Sequence, residues 1–176
     1  MIFYLLKNIF GKKKTSLIKP QDLDFQSLGL QLKREIDSVF GRSLAIRELD
    51  SGSDNAAEIE LNNLSTSYYD IERFGVTFVA SPRHADVIAI TGAVTLAMAE
   101  AVKKTFDAMP QPGLVIAIGD DACGVGILNG SYAVLGGADK ILHVDVRILG
   151  NPPTPEELMR GLVTLMALAK EKQTRK

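Results

Sequence analysis

The chain has little of the residue types on which metal and imidazole chemistry depend. Its 176 residues include one cysteine, Cys123, and two histidines, His84 and His143. A single cysteine excludes an intrachain disulfide, and no CxxC pair or Cys/His cluster is present to bind zinc. The sequence therefore predicts no disulfide framework, no zinc centre and little scope for a histidine-based active site.

An excess of one charge and long apolar runs are missing as well. The chain carries 20 Lys and Arg against 21 Asp and Glu, a formal net charge of -1, so no basic field indicates nucleic acid as a partner. No apolar run reaches the roughly 18 residues that predict a transmembrane helix. With 46% hydrophobic residues, the composition predicts one well-buried domain of ordinary size.

The first ten residues are apolar along one helical face. That face consists of Ile2, Leu5, Leu6, Ile9 and Phe10, and Lys12-Lys-Lys14 follows it. Charge after the apolar part is the reverse of a secretory signal. The pattern suits a segment that lies on a membrane surface or a hydrophobic partner, and equally a helix that covers the chain's own core. We assign residues 1–24 to this segment and its linker, and residues 25–176 to one folded domain.

Strand and helix patterns alternate along that domain. Strands are predicted at residues 43–49, 74–80, 87–91, 114–118 and 141–146. Helices are predicted at residues 28–40, from 56 onward, and at 94–106, 132–135 and 154–169, with capping boxes formed by Asn55 with Glu58 and by Thr154 with Glu157. His143, inside the last strand, is predicted to be a core residue. The alternation predicts an α/β fold, a three-layer sandwich around a mostly parallel sheet.

Three loops should meet at the carboxyl-terminal edge of such a sheet, where open α/β folds bind their ligands. They are residues 50–55, 119–126 and 150–153. Asp54, Asp121 and Asn151 offer oxygen ligands of the kind that Mg²⁺ or Ca²⁺ prefers, but they can equally hydrogen-bond to the loops themselves. We favour the second interpretation, and we predict neither a metal site nor a catalytic residue.

Several motifs of the chain resemble those of one family in their order and spacing. They are Gly-Ser-Asp-Asn-Ala-Ala-Glu at 52–58, Tyr69-Asp-Ile-Glu-Arg-Phe-Gly75, Ser81-Pro-Arg-His-Ala-Asp-Val87, Thr91-Gly-Ala-Val-Thr95, Gly119-Asp-Asp-Ala122, Gly136-Gly137 and Gly150-Asn-Pro-Pro153. Together they resemble the small, B or PSST-type subunit of complex I and of membrane-bound energy-converting NiFe-hydrogenases. The resemblance implies a flavodoxin-like fold and a 4Fe–4S cluster that relays electrons to a large subunit.

The family's cluster cysteines have no counterpart in this chain. The matching positions hold Asp54, Ala57, Asp121 and Asn151. Such clusters are held by Cys thiolates, and carboxylate or amide oxygens are poorly matched to a sulfide cluster. Ala57 offers no ligand atom, and Cys123, two residues beyond the third position, is alone. We therefore expect that the scaffold is retained, that the cluster is absent and that the chain has no cofactor.

The resemblance also implies partner subunits. The residues expected to contact a large subunit are Tyr69, Arg73, Phe74, Arg83 and His84, whose types are frequent at interfaces. The alternative is an ordinary packed loop, with Arg83 and His84 in a turn that pairs locally with Asp86. Subunits of a membrane arm, and the membrane surface through the N-terminus, complete the expected partners.

The predicted function is a structural or coupling role in a complex I-like or energy-converting hydrogenase-like oxidoreductase complex. The chain would lie peripherally at the cytoplasmic side of the cell membrane, between the large subunit and the membrane arm, and would not be catalytic alone. Two alternatives stay open from the sequence. One is an electron-transfer subunit whose 4Fe–4S cluster has unusual ligands. The other is a module that binds a small anion, nucleotide or divalent ion in the vacated pocket.

Overall fold

Four α-helices, three short 3₁₀ helices and seven strands occur in the part of the chain that the computed structural model describes, residues 23–174. The helices are α1 (Leu23–Phe40), α2 (Ala56–Leu64), α3 (Ala99–Asp107) and α4 (Pro155–Thr174). The strands are β1 (Leu44–Asp50), β2 (Val76–Phe78), β3 (Val87–Thr91), β4 (Val94–Thr95), β5 (Leu114–Ile118), β6 (Val134–Gly136) and β7 (Val146–Ile148). The apolar segment predicted at residues 1–24 lies almost wholly outside the described residues, so its role stays a prediction.

The main sheet has five parallel strands in the order β2-β1-β3-β5-β7. Counted in the order in which the chain forms them, this is the flavodoxin-like order 2-1-3-4-5. The order reverses between β1 and β3, which opens a crevice at the carboxyl ends of the central strands. The α/β fold and its mostly parallel sheet are therefore confirmed.

Helices cover both faces of this sheet. Apolar side chains of α1, α2 and α4 pack with Ile116 and Ile118 on one face, while α3 contributes Val102 to a second core that contains Val115 and Ala117. Alternate residues of β5 thus enter opposite cores, and all of its residues are buried. The continuous apolar run at 114–118 is explained by this burial on both faces.

The strand predicted at residues 141–146 is wrong. The strand there is β7, and the His143 side chain is 87% exposed instead of buried in the core. The chain first bonds to β5 at Asp145, just before β7 begins, where the Asp145 carboxylate accepts a hydrogen bond from the Val115 amide at 2.9 Å. The preceding apolar residues Ile141 and Val144 belong to an irregular turn that packs against the core on the α3 side. Because they are apolar for this reason, the sequence at 141–146 has the pattern of a strand.

The short helix predicted at 132–135 is wrong, and the helix predicted at 94–106 begins later than expected. Residues 94–95 form β4, which pairs antiparallel with β6, so the residues predicted as a short helix at 132–135 lead into a strand. Thr95 is held at this place because its hydroxyl donates to the Ser51 carbonyl at 3.2 Å and accepts from the Met98 amide at 3.2 Å. Since Thr95 satisfies an amide ahead of α3, that helix begins later than its apolar spacing predicts.

Candidate functional site

The loops after β1, β5 and β7 meet at the carboxyl edge of the sheet, as predicted. The Gly119 amide donates to the Ile148 carbonyl at 2.8 Å, and the Asp120 amide donates to the Gly150 carbonyl at 2.9 Å. Gly92, after β3, has φ +70 and touches the backbone of the first loop so closely that an added Cβ would overlap Ser53. The crevice is therefore closed by contacts between backbones.

One small cavity lies between these loops, and all four positions that match the family's cluster ligands line it. Its lining includes Asp54, Ala57, Asp121 and Asn151. The cavity measures about 10 Å³. A volume of that size has room for about one water molecule. The fold thus brings the four positions together, but the loops leave no space between them for a larger group.

Asp120 does most to hold the loops together, although its sequence context gave it no role. Its Oδ1 accepts a hydrogen bond from the Gly150 amide at 2.8 Å, and its carbonyl oxygen accepts from the amides of Val125 and Gly126 at 2.9 and 3.0 Å. One residue therefore ties the loop after β5 to the loop after β7 and folds its own loop back.

The two aspartates at ligand positions serve the loops that carry them. Asp54 Oδ1 accepts from the Ala56 amide at 3.0 Å, and Asp121 Oδ1 accepts from the Leu128 amide at 3.4 Å and packs against Gly126. Ala57 has no donor atom. The residues present therefore do not fit a 4Fe–4S cluster, which thiolates hold. Within residues 23–174, no group of three or more His, Cys, Asp or Glu side chains is arranged to hold a metal ion.

Cys123 is a buried thiol and not a spare ligand. Its Sγ lies 3.6 Å from the Ala117 carbonyl and 3.7 Å from the Ile148 carbonyl, to which the thiol donates. Burial raises the pKa of this thiol to about 11, against the opposing effect of the Arg147 charge. The thiolate form, which metals and electrophiles require, is therefore disfavoured at neutral pH.

The capping box predicted for α2 is wrong. Asn55 has φ 72 and makes no side-chain cap, whereas an N-cap residue needs an extended backbone. The first amides of the turn bond to other side chains, because Asn55 donates to Ser53 Oγ at 3.0 Å and Ala56 donates to Asp54. Glu58 consequently does not reach back over the helix start, and its side chain is buried.

The aromatic residues predicted to form an interface pack largely within the chain. Phe74 is 3% exposed, and its ring lies against Gly29 and under the Arg73 guanidinium at 4.6 Å. The ring of Tyr69 lies 5.1 Å from that of Phe25. Phe74 therefore offers almost no surface to a partner, and the interface role of Tyr69 and Arg73 stays a prediction.

Arg83 and His84 lie exposed on a 3₁₀ turn, Pro82–His84. The alternative in which this turn pairs with Asp86 is wrong, because the ion-pair partner of Asp86 is Arg42. The guanidinium binds both Asp86 oxygens, at 2.8 and 2.6 Å, and Asp86 also accepts from the Ala45 amide at 3.0 Å. Asp86, the acidic residue of this motif, thus joins β1 to the start of β3, and partner contact through Arg83 and His84 stays a prediction.

Residues 55–165 match the family model for the NADH ubiquinone oxidoreductase 20 kDa subunit. This match covers more than half of the chain. The chain belongs to this family. The resemblance inferred from the motifs is thereby confirmed.

Relatives of the 20 kDa subunit family include proteins of hydrogenase complexes. The chain is 36% identical over 169 residues to formate hydrogenlyase subunit 7 of Escherichia coli, a match that covers 95% of this chain and 65% of the relative's length. It is 43% identical over 137 residues to a membrane-bound hydrogenase subunit, mbhJ, of Pyrococcus furiosus, with 77% and 82% covered. A solved chain of an archaeal respiratory membrane complex, the membrane-bound sulfane sulfur reductase, matches with TM-score 0.66, 32% identity and coverage of 81% and 76%.

This family member also carries an exposed apolar surface that the sequence did not reveal. We call it the apolar rim, and it comprises Leu96, Val125, Ile127, Tyr132 and Leu135, which are 57%, 67%, 90%, 96% and 42% exposed. Leu96, Tyr132 and Leu135 lie in or beside the β4–β6 pair, where the Leu96 amide donates to the Ala133 carbonyl, and Val125 and Ile127 lie in the loop that follows β5. They are scattered among glycines and polar residues, so no helical or strand period marks them. No helix among the described residues is long and apolar enough to cross a membrane.

Proposed function

We propose that this chain is a structural or coupling subunit of a membrane-bound, hydrogenase-like or complex I-like oxidoreductase complex, and that it carries no electrons itself. Its relatives are named as subunits or chains of formate hydrogenlyase, a membrane-bound hydrogenase and a respiratory membrane complex. The observation that carries the proposal is the single pocket at which Asp54, Ala57, Asp121 and Asn151 meet. The fold brings all four family ligand positions together there, and none of the four carries a thiolate.

The chemistry of the pocket supports a cluster-free role. Oxygen atoms of Asp54 and Asp121 are already engaged by backbone amides. Asp120 joins the loops across the pocket through the Gly150 amide. In this chain the former ligand loops therefore act as a joint that stiffens one end of the sheet, and a stiff end suits a subunit whose task is to hold others in place.

We propose a large subunit and membrane-arm subunits as the partners. Val125 of the apolar rim donates its amide to the carbonyl of the pocket residue Asp120, and exposed apolar residues of this kind mark sites of protein association. Arg83 and His84, exposed on the turn ahead of β3, lie toward the opposite edge of the sheet and would give a partner polar contacts there. The apolar segment at the N-terminus, with its following lysines, is our proposed contact with the membrane surface, on the cytoplasmic side.

Anaerobic reconstitution with iron and sulfide tests the cluster-free part. The matched control is a quadruple variant, Asp54→Cys, Ala57→Cys, Asp121→Cys and Asn151→Cys, which restores a thiolate at each family position. We expect the wild type to retain only background iron. In the variant the loops have to move apart around the bound group, and four thiolates should then take up about four irons with the spectrum of a 4Fe–4S cluster. A reducible 4Fe–4S signal in the wild type, bound stoichiometrically, would contradict the proposal.

Purification from native membranes tests the partner part. A tagged chain extracted in mild detergent should retain a large subunit and integral membrane subunits through gel filtration. A chain that elutes as a stable monomer under these conditions would show that it does not act as a complex subunit.

A further inference from the structure

A second and much larger cleft lies at the amino-terminal edge of the sheet, opposite the pocket of the four ligand positions. Its walls are the C-terminal ends of α1 and α4 and the turn that leads from α3 into β5. It has a volume of about 490 Å³, which lies in the range of roughly 300–1,000 Å³ typical of small-molecule sites. Among the described residues, its lining shares no member with that pocket or with the apolar rim, so it needs an explanation of its own.

The interior of the cleft is apolar. The apolar residues that line it are Val39, Phe40, Pro110, Pro112, Leu114 and Ala169. Burying an apolar ligand against such a wall is favourable in proportion to the surface that leaves water. The volume suits one acyl chain, and it is too small for the two chains of a membrane phospholipid.

Two ion pairs at the mouth of the cleft turn their cations outward and their carboxylates inward. The side chains of Arg42 and Lys172, which line the cleft, are 58% and 51% exposed, whereas those of their partners Asp86 and Asp145 are 11% and 4% exposed. Each carboxylate also accepts a hydrogen bond from a strand amide, at 3.0 and 2.9 Å. A ligand that enters the cleft therefore meets the guanidinium and the ammonium group before it meets either carboxylate.

Both cations have N–H groups left for a ligand. Of the five on the Arg42 guanidinium, three donate within the chain, to the Ser43 carbonyl at 3.0 Å and to the two Asp86 oxygens at 2.8 and 2.6 Å. Of the three on the Lys172 ammonium, one donates to Asp145. The nearby ends of α1 and α4 add a partial negative charge, so an anionic group is favoured only in direct contact with these donors.

We propose that this cleft binds one single-chain amphiphile with a carboxylate head, that is, a fatty acid. The acyl chain packs against the apolar wall, and the carboxylate accepts hydrogen bonds from Arg42 and Lys172. Burial of the chain supplies most of the affinity, and the two cations select the head group. The site is independent of the proposed complex, because it lies at the other edge of the sheet and consists of residues of this chain alone.

Nitrogen-15 NMR titration of the full-length chain tests the site and its selectivity. The probes are decanoate, decan-1-ol and decyltrimethylammonium, each below its micelle concentration, which share one chain length and differ in the charge of the head. We expect decanoate to shift the amide signals of Leu114 and Ala169 and to bind at least about tenfold more tightly than decan-1-ol. Decyltrimethylammonium should bind most weakly, because its head would lie against two cations.

Two variants with matched controls separate the wall from the head-group contact. Val39→Trp, at a half-buried position of the wall, should fill the cleft and weaken decanoate binding at least about tenfold, whereas Leu30→Trp, exposed on the same helix, should not. Lys172→Gln keeps a donor for Asp145 and removes the charge, so it should reduce the preference for decanoate over decan-1-ol at least about threefold. Lys103→Gln, at an exposed lysine of α3, should leave that preference unchanged.

The proposal is overturned if decanoate does not bind, if either other amphiphile binds as tightly, if Val39→Trp leaves binding intact, or if Lys172→Gln leaves the preference intact. A dimer in gel filtration that Val39→Trp dissociates, with no decanoate bound, would assign the cleft to a second copy of the chain and would also overturn it. If Val39→Trp does not fold, the wild type and Lys172→Gln decide alone. A preference for decanoate that is present in the first and reduced in the second supports the site, and any other combination refutes it.

Discussion

Cys123 shows at the scale of one residue how burial decides what a thiol can do. Its pKa of about 11 leaves a very small thiolate fraction at neutral pH, and its Sγ faces carbonyl oxygens of β5 and β7. We therefore expect iodoacetamide to label the folded chain at pH 8 at least about 100-fold more slowly than an unfolded cysteine of ordinary pKa. Mass spectrometry of timed samples measures this rate, and full labelling in urea is the control. Rapid labelling of the folded chain would contradict the burial of this side chain.

Asp120 and Asp121 are neighbours of the same type with different tasks. Asp120 accepts a short hydrogen bond from the Gly150 amide across two loops, whereas the bond from Leu128 to Asp121 is long and local. A hydrogen bond to a charged group contributes about 1.5–3 kcal/mol. Asp120→Ala should therefore lower the free energy of unfolding by about 2 kcal/mol, and Asp121→Ala by clearly less. Urea denaturation of both variants gives the comparison, and equal losses would mean that Asp120 does not join the loops.

Two capping boxes of similar appearance have different outcomes at the scale of the element. At α4 the Thr154 amide and hydroxyl donate to Glu157 Oε2 at 2.7 and 2.9 Å, and the Glu157 amide donates to Thr154 Oγ1 at 3.3 Å. Thr154→Ala should therefore cost about 1 kcal/mol of unfolding free energy. Asn55, at the start of α2, has a positive φ and no cap, so Asn55→Gly should cost almost nothing. A large loss in Asn55→Gly would show that its side chain does cap the helix in solution.

The box at α4 also predicts a dependence on pH. Hydrogen bonds from the backbone and then the hydroxyl of Thr154 hold the pKa of Glu157 below its usual value. A lowered carboxyl pKa adds stability above the unfolded-state pKa, and this stability is lost as the pH falls through the folded-state pKa. The difference between the wild type and Thr154→Ala should thus be largest near pH 7 and shrink below about pH 4. Chemical denaturation at the two pH values measures it.

Elements with one strong periodic signal were predictable, and elements shaped by contacts distant in sequence were not. The run at 114–118 is apolar because both faces of β5 are buried, and α1 ends at Phe40 as predicted, just before Gly41, which has φ +63. Residues 141–144 are apolar for a different reason, since they pack as a turn against the second core. The brief β4 depends on Thr95 meeting Ser51, a contact that no local pattern announces.

At the scale of the whole molecule, the sequence predicted the location of the site more accurately than it predicted the contacts that hold its loops together. Parallel strands end at one edge, so the convergence of the loops followed from the order of the elements alone. The motif positions then placed Asp54, Ala57, Asp121 and Asn151 at one cavity. The link from Asp120 to Gly150 and the burial of Phe74 depend on side-chain directions in the folded chain, which periodicity does not contain.

The apolar rim distinguishes one part of the molecular surface from the rest, and its proposed role in partner binding can be tested. Ile127 and Tyr132 are 90% and 96% exposed, so replacing them should change the folded chain by no more than about 0.5 kcal/mol. If a partner covers them, however, a buried charge would weaken its binding at least about tenfold. We expect Ile127→Asp with Tyr132→Asp to remove the large subunit from the purified complex at unchanged thermal stability. Leu30→Asp, on α1 and 51% exposed, is the control that should retain it. Loss of the partner in both variants would point to a general effect of added charge, and retention in both would mean that the large subunit binds elsewhere on this chain.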